Sequence, residues 1–261
     1  MAPAPFINPA LADLARREDT LIVFPHAQRT GGKTLRDEVL SAVYGADRVY
    51  SASRGTGTKV WKDVAKADLD GFRVYTGPSN FADLDKGRPT VFLGLVRHPL
   101  YRAISLYHYC RKGTWHKLHP IANRTTLEQF YAEASKINPP YFHNTQCLRM
   151  SGAADVRKVQ KAVGRKYLGV GFTEEIGTFS GALGSVLGWP QIDVETAQTD
   201  DKRYAQQGSP EFRNRVLKES AEDLKMYEWL AAGAPAPVRR TFFSGLGAAL
   251  TPGHKNVTLG K

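Results

Sequence analysis

The glycine pair Gly31-Gly32 constrains the fold most, because it joins a short apolar run to a helical pattern. The run Leu21–Phe24 ends at Pro25 and predicts a buried strand of a parallel sheet. Beyond the glycines, apolar residues recur at helical spacing at Leu35, Val39, Leu40 and Val43. Glycines let the backbone turn tightly and present N–H groups to an anion at the helix N-terminus. The pattern therefore predicts a phosphate-binding loop.

The rest of the chain predicts one α/β domain covering residues 1–261. With 261 residues, 42% of them hydrophobic, the chain can bury one sizeable core, which we place at about residues 20–232. The polar, glycine-bearing segment 251–261 predicts a loose C-terminal tail.

The charge balance favours an anionic partner. The chain has 36 Lys and Arg against 25 Asp and Glu, a formal charge of +11, which attracts nucleotides, acidic glycans, nucleic acids or phosphates at a membrane. We do not expect nucleic acid, since the pair Tyr107 and Tyr109 is not accompanied by a repeated aromatic sheet motif.

The cysteines and the N-terminal segment favour a cytoplasmic protein. The two cysteines, Cys110 and Cys147, form neither a CxxC pair nor a Cys/His cluster, so we expect no disulfide framework and no metal site. The N-terminal segment lacks the pattern of a secretory signal, and no apolar run is long enough to span a membrane.

Alternating patterns predict a P-loop-like three-layer fold, in which helices flank a central parallel sheet. Further strands are expected at residues 72–76, 91–96 and 167–170. Apolar residues recur at helical spacing on one face from Ile176 to Leu187, and again on one face from Phe212 to Tyr227, which predicts a helix in each segment. The polar segment Lys112–Pro140 carries four prolines and glycines, and it predicts an irregular excursion that lines a substrate cleft.

The first loop also resembles that of a nucleotide kinase. Ala27–Thr34 reads AQRTGGKT and departs from the P-loop pattern GxxxxGK[ST] only in its first residue. A kinase would place Lys33 on the phosphates, Thr34 on magnesium and an Asp at the end of a neighbouring strand. The run of residues 91–96 is instead followed by Arg97, a cation that suits a metal-free phosphate site better.

A second phosphate motif follows this strand. Arg97 stands at its carboxyl end, and Pro99 suits the first position of a helix that carries Ser105 two turns on. Arg97 and Ser105 together can hold a phosphate that is separate from the one on the glycine loop. Two such sites on neighbouring strands fit a nucleotide phosphorylated at two ends.

The two motifs together resemble the sulfotransferases that use 3′-phosphoadenosine 5′-phosphosulfate (PAPS), in particular the heparan sulfate 2-O- and 6-O-sulfotransferase-like group. That group's first motif, roughly HIxKTGGTT, stands here as HAQRTGGKT over residues 26–34. Its second motif, RDPxxRxxS, stands as RHPLYRAIS over residues 97–105. Weaker likenesses occur in residues 143–148, in Gly171–Glu174 and around Asp223 and Tyr227, so the resemblance spans about Leu21 to Trp229.

The resemblance implies roles for individual residues. The 5′-phosphosulfate of PAPS would be bound by Arg29, Thr30, Gly31, Gly32, Lys33 and Thr34. The 3′-phosphate would be bound by Arg97 and Ser105. Arg29 replaces the group's usual Lys and would be catalytic, because it stabilises charge on the leaving phosphate while a sulfuryl group passes to an acceptor hydroxyl, with a glycan as the expected acceptor. No metal is required by this mechanism.

The chain departs from the group at the catalytic base. The group carries a His where Thr76, Gly77 and Pro78 stand here, and loss of a general base costs on the order of 10²–10⁴ in rate. His26 is the nearest candidate to replace it, although a histidine packed beneath the loop is the commoner role for such a residue. His108 and His143 are weaker candidates. Three hypotheses stay open: a sulfotransferase, a P-loop kinase, and an inactive nucleotide- or polyanion-binding protein.

Overall fold

The computed structural model describes residues 3–52, 69–77, 87–194 and 204–234, and it forms a three-layer α/β fold. The strands of its six-stranded sheet are β1 (Phe6–Ile7), β2 (Leu21–Pro25), β3 (Val49–Ser51), β4 (Val74–Gly77), β5 (Thr90–Val96) and β6 (Tyr167–Phe172). Their order across the sheet is β1-β6-β5-β2-β4-β3. All neighbouring pairs are parallel except β1 with β6. The predicted fold class is confirmed.

Helices cover both faces of this sheet. The described helices are α1 (Ala12–Arg16), α2 (32–44, π-helical at Leu35–Leu40), α3 (Pro99–Lys112), α4 (His119–Arg124), α5 (Leu127–Ile137), α6 (Pro139–Phe142), α7 (Thr145–Ser151), α8 (Val156–Lys166), α9 (Ile176–Leu187), α10 (Pro210–Glu219) and α11 (Ala221–Ala231).

Two apolar layers hold the helices to the sheet. Along β2, Leu21 and Val23 belong to the layer beneath α8 and α11, whereas Ile22 and Phe24 belong to the layer beneath α2 and α9. Side chains of a strand alternate between faces, so a continuous apolar run is the pattern of a strand covered on both sides. This is why β2 lies at the centre, with β5 and β4 as its neighbours.

The structure corrects the predicted excursion at Lys112–Pro140. This segment contains two helices, α4 and α5, rather than irregular chain. A capping box begins α5: the Gln129 N–H donates to Thr126 Oγ1, and the Thr126 N–H donates to Gln129 Oε1 at 3.1 Å. The prolines lie outside the interior turns of α5, where they do not disturb its hydrogen bonds. Thr126-x-x-Gln129 was the sequence signal that could have revealed this helix.

The expected single helix from Phe212 to Tyr227 is also corrected. The chain breaks at Ser220 into α10 and α11. The start of α11 is capped by a distant residue, since the N–H groups of Glu222 and Asp223 donate to Asn144 Oδ1 at 2.9 and 3.2 Å. Sequence reasoning also missed β1 and β3. Because β1 pairs with β6, the sheet includes residues that precede the expected start of the core at about residue 20.

Two further features of the described residues bear on the sequence analysis. None of their helices has the length and apolar character needed to cross a bilayer. Cys110 and Cys147 are both buried and form no disulfide. The predicted tail at 251–261 and Pro78 lie outside the described residues.

Candidate functional site

The first motif forms a tight loop at the carboxyl end of β2. Two of its residues have positive φ, Arg29 at 71° and Gly31 at 79°. Thr30 is fully buried, and its Oγ1 donates to the Ala27 carbonyl at 2.8 Å, which closes the loop on itself. The left-handed conformation is costly for a residue with a Cβ, and such strain is concentrated at functional sites. The fold therefore holds the Arg29 backbone in a conformation that is unfavourable for a residue other than glycine.

His26 packs directly beneath this loop. A Cβ built on Gly32 would overlap the His26 ring at Nδ1, so the ring occupies space that only a glycine leaves free. Its Nε2 has no solvent contact and no hydrogen-bond partner in the described part of the chain. Burial, together with the charges of Arg36, Arg149 and Arg29, lowers the pKa of His26 to about 4. The ring is thus neutral at pH 7, and its use as a base stays a prediction.

The second motif places Arg97 at the carboxyl end of β5. The side chain of Gln146 brackets the Arg97 backbone: its Oε1 accepts from the Arg97 N–H, and its Nε2 donates to the Arg97 carbonyl, both at 2.9 Å. Gln146 is held in turn by Asp223, whose carboxylate accepts from the N–H groups of Gln146 and Cys147 at 3.1 and 2.8 Å. Arg97 is 5% exposed. Its backbone is therefore fixed by a buried network that reaches α7 and α11.

The two motifs meet at this edge of the sheet. Arg29 Nε donates to Ser105 Oγ at 3.0 Å, and Arg97 Nη1 reaches the Arg29 carbonyl at 3.4 Å. Two aromatic rings complete the cluster: the Arg29 guanidinium lies 4.6 Å from the Tyr109 ring, and that of Arg97 lies 5.4 Å from the Tyr204 ring. The predicted residues Arg29, Arg97 and Ser105 are thus brought together.

The electrostatics of this cluster favour an anion. Burial and the neighbouring charge of Arg97 both lower the pKa of Arg29. Among the described residues, no carboxylate lies within 4.0 Å of the Arg29 guanidinium. A half-buried cation without a counter-ion loses part of its hydration, and two adjacent guanidiniums offer bidentate donors to phosphate or sulfate oxygens. The site can therefore bind an anion at the loop that joins β2 to α2.

The remaining predicted loop residues lie around the start of α2. Gly32, Lys33 and Thr34 form its first turn, in which Gly32 is buried, Lys33 is exposed and Thr34 is half-buried. The first backbone N–H groups of a helix have no intrahelical partners and can face an anion. Lys33 makes no ion pair with the described residues, so its side chain can reach a ligand from solvent without breaking one of their pairings.

The other arginine of the second motif is structural. Arg102 is wholly buried, and its Nη2 donates to the Phe142 carbonyl at 2.7 Å and to Thr145 Oγ1 at 3.3 Å. It joins α3 to the end of α6 and the start of α7. His108 and His143 are likewise engaged in the fold, with His108 Nε2 at 2.8 Å from Gln207 Oε1 and His143 Nε2 at 3.1 Å from Glu219 Oε2.

The weaker likenesses to the sulfotransferase group lie at the same edge. Thr173 Oγ1 donates to the Val96 carbonyl at 3.1 Å, and its methyl group would lie 3.4 Å from a Cβ built on Gly31. The next residue, Glu174, accepts a hydrogen bond from the Tyr227 hydroxyl. The turn after β6 therefore packs on the loop that joins β2 to α2 and ties it to α11.

Sequence reasoning missed the aromatic members of the site. Tyr109 lies four residues after Ser105 on α3, so helical spacing could have placed it on the same face. Tyr204 carries no such signal, because it enters the site from a part of the chain remote in sequence. In the part of the chain that the structure describes, no group of three or more His, Cys, Asp or Glu side chains is arranged to hold a metal ion.

Comparison with known proteins gives one partial likeness. No protein-family model matches the chain. A stretch of 73 residues, 27% of the chain, is 33% identical to the uncharacterized protein YjcZ of Escherichia coli K12. That stretch covers 25% of YjcZ, so the chain matches about a quarter of that protein's length.

Proposed function

We propose that this protein is a PAPS-dependent sulfotransferase that moves a sulfuryl group to a hydroxyl of a carbohydrate or related acceptor. The observation that carries the proposal is the meeting of the two motifs, in which Arg29 donates to Ser105 and Arg97 lies against the Arg29 carbonyl. A nucleotide whose phosphates form a single chain, such as ATP, needs one basic loop to bind them. Two basic groups after two neighbouring strands suit a nucleotide with phosphates at both its 5′ and 3′ positions.

The residues have distinct parts in this reaction. The first turn of α2, with Arg29 and Lys33, would hold the 5′-phosphosulfate, while Arg97 and Ser105 would hold the 3′-phosphate. PAPS supplies a sulfuryl group on a phosphate leaving group. As the S–O bond to the phosphate breaks and the S–O bond to the acceptor forms, Arg29 would stabilise the charge that builds on the leaving oxygen. The acceptor's proton must pass to a base, for which His26 remains the candidate.

A P-loop kinase is the alternative from another reaction class, motivated by the near match of Ala27–Thr34 to the Walker pattern. Its magnesium would need a carboxylate at the end of a strand beside β2. Of the two neighbours, β5 ends in front of Arg97 and β4 ends at Gly77. The cation after β5 supports a site for a second phosphate at that position.

An inactive nucleotide- or polyanion-binding protein is the third candidate, because His26 Nε2 is buried and its pKa is low. Incubation with ³⁵S-labelled PAPS and a mixture of glycans separates these functions. The proposal predicts a labelled product whose formation needs both the acceptor and Arg29. Binding of PAPS without any labelled product would favour the inactive protein.

We also propose that the protein acts in the cytoplasm. The support is the pair of buried cysteines that form no disulfide, as expected in a reducing compartment. Fractionation of cells that express the tagged chain tests this proposal, since recovery from an oxidising compartment would contradict it.

A further inference from the structure

A series of aromatic rings leads from Arg29 to the protein surface. The ring of Tyr109 covers the Arg29 guanidinium at 4.6 Å. Trp115 meets the Tyr109 ring at 5.6 Å between centroids, nearly edge-on at 79°. His116 lies 5.7 Å from both rings. One aromatic ring therefore separates Trp115 from the arginine assigned to the transferring group.

Trp115 is also unusually exposed for its size. It is 71% exposed, and among the described residues the other large hydrophobic side chain on the surface is Ile137, at 65%. A single exposed apolar side chain needs no explanation by itself. Trp115 differs from Ile137 because its ring is held by Tyr109 and His116 and because these contacts lead to Arg29. The indole is thus an exposed aromatic face held in place by ring contacts that continue to Arg29.

The surroundings of Trp115 are basic and polar. Three exposed cations flank it in the sequence, Arg111 and Lys112 before it and Lys117 after it. Residues 87–127, which include the second motif and this loop, contain no Asp or Glu. Sites for small molecules combine an aromatic or apolar face with a few polar groups that fix orientation. A flat ring that bears hydroxyl groups matches both features.

We propose that Trp115 is the face on which the ring of the acceptor stacks, so that a hydroxyl of that ring is directed towards Arg29. The inference rests on the proposed sulfotransferase function and adds to it a substrate class, a hydroxyl-bearing ring, together with the residue that selects it. A sugar offers its C–H face and a phenol its π face, and both can stack on an indole. Tyr109 acts as a positioning residue, because it supports the indole on one side and Arg29 on the other.

Saturation-transfer NMR with protein loaded with 3′-phosphoadenosine 5′-phosphate (PAP) tests the inference. The probes are cellobiose for a sugar ring, p-nitrophenol for an aromatic ring, and sorbitol as a polyol without a ring. At least one ring probe should bind, with its dissociation constant raised about tenfold in Trp115→Ala and much less in Trp115→Phe. Ile137→Ala is the matched control and should bind the probe as the wild type does. Sorbitol should not bind.

The outcomes separate this inference from the function on which it rests. Equal affinity of the ring probe in wild type and Trp115→Ala, or no binding of either ring probe, would overturn it. Calorimetry of PAP with the same variants gives the second readout, because Trp115→Ala should leave PAP affinity unchanged. PAP binding without dependence of ring binding on Trp115 would leave the sulfotransferase proposal standing. Absence of PAP binding would overturn that proposal and, with it, the role of Trp115 in acceptor binding.

Discussion

Arg29 Nε donates a 3.0 Å hydrogen bond to Ser105 Oγ across 76 residues of sequence. This contact couples the loop after β2 to the helix after β5. It gives the loop arginine a neutral partner, so the guanidinium keeps its charge and its remaining donors for a ligand. Ser105 itself is 1% exposed.

Ser105→Ala removes this hydrogen bond and the hydroxyl assigned to the 3′-phosphate. We expect PAP to bind about tenfold more weakly, which corresponds to about 1.4 kcal/mol. Binding of AMP, which lacks the 3′-phosphate, should change much less. Calorimetry with both nucleotides measures the difference, and Ser180→Ala, at another buried serine, is the control. An equal loss for PAP and AMP would contradict the assignment.

The backbone of Arg29 gives a second prediction, since its φ of 71° favours glycine. Arg29→Gly and Arg29→Ala both remove the guanidinium, and both should weaken PAP binding at least about tenfold. They should differ in stability, with the glycine variant about 1 kcal/mol more stable than the alanine variant. Urea denaturation of the pair measures this difference. Equal stabilities would show that the left-handed conformation is not maintained.

Gly32→Ala tests the packing of His26 beneath the loop. A Cβ at this position would overlap the imidazole ring, so the variant should lose about 1–3 kcal/mol of unfolding free energy. Adding His26→Ala removes the overlapping ring and should recover much of that loss. A double-mutant cycle by urea denaturation measures the coupling. Additive effects of the two changes would contradict the contact.

The low pKa of His26 predicts acid sensitivity. Its folded pKa of about 4 lies below the unfolded value near 6.5, so the unfolded chain binds more protons between these two values. This residue's contribution to stability is complete above pH 6.5 and is lost as the pH falls towards 4, amounting to at most about 3 kcal/mol. His26→Gln should therefore flatten the dependence of unfolding free energy on pH in this window. An unchanged slope in chemical denaturation would show that His26 titrates normally.

Both motifs could be recognised in the sequence because each is a local unit, in which an apolar strand leads to a loop or a helix; their binding of phosphate stays a prediction. Arg97 and Ser105 are eight residues apart in one such unit, so their shared location needs no knowledge of distant contacts. Four of the strands were recognisable for the same reason, whereas β1 and β3, of two and three residues, are too short to give a pattern. The helical pattern of α9 was equally clear.

What could not be predicted depends on distant residues. Gln146 fixes the Arg97 backbone from 49 residues away, and Asn144 caps α11 from 78 residues away. Neither amide stands in a local pattern that indicates its partner. Tyr204 reaches Arg97 only because the fold packs the residues that precede α10 against α3. The polar interior of the site thus depends on tertiary contacts.

Isothermal titration calorimetry of PAP, AMP, ADP and ATP, each with and without magnesium, tests the central claim most directly. We expect PAP to bind at least tenfold more tightly than AMP, and magnesium to leave this preference unchanged, because Arg97 and Ser105 would hold the 3′-phosphate. A magnesium-dependent preference for ATP over PAP would contradict the sulfotransferase proposal and favour the kinase.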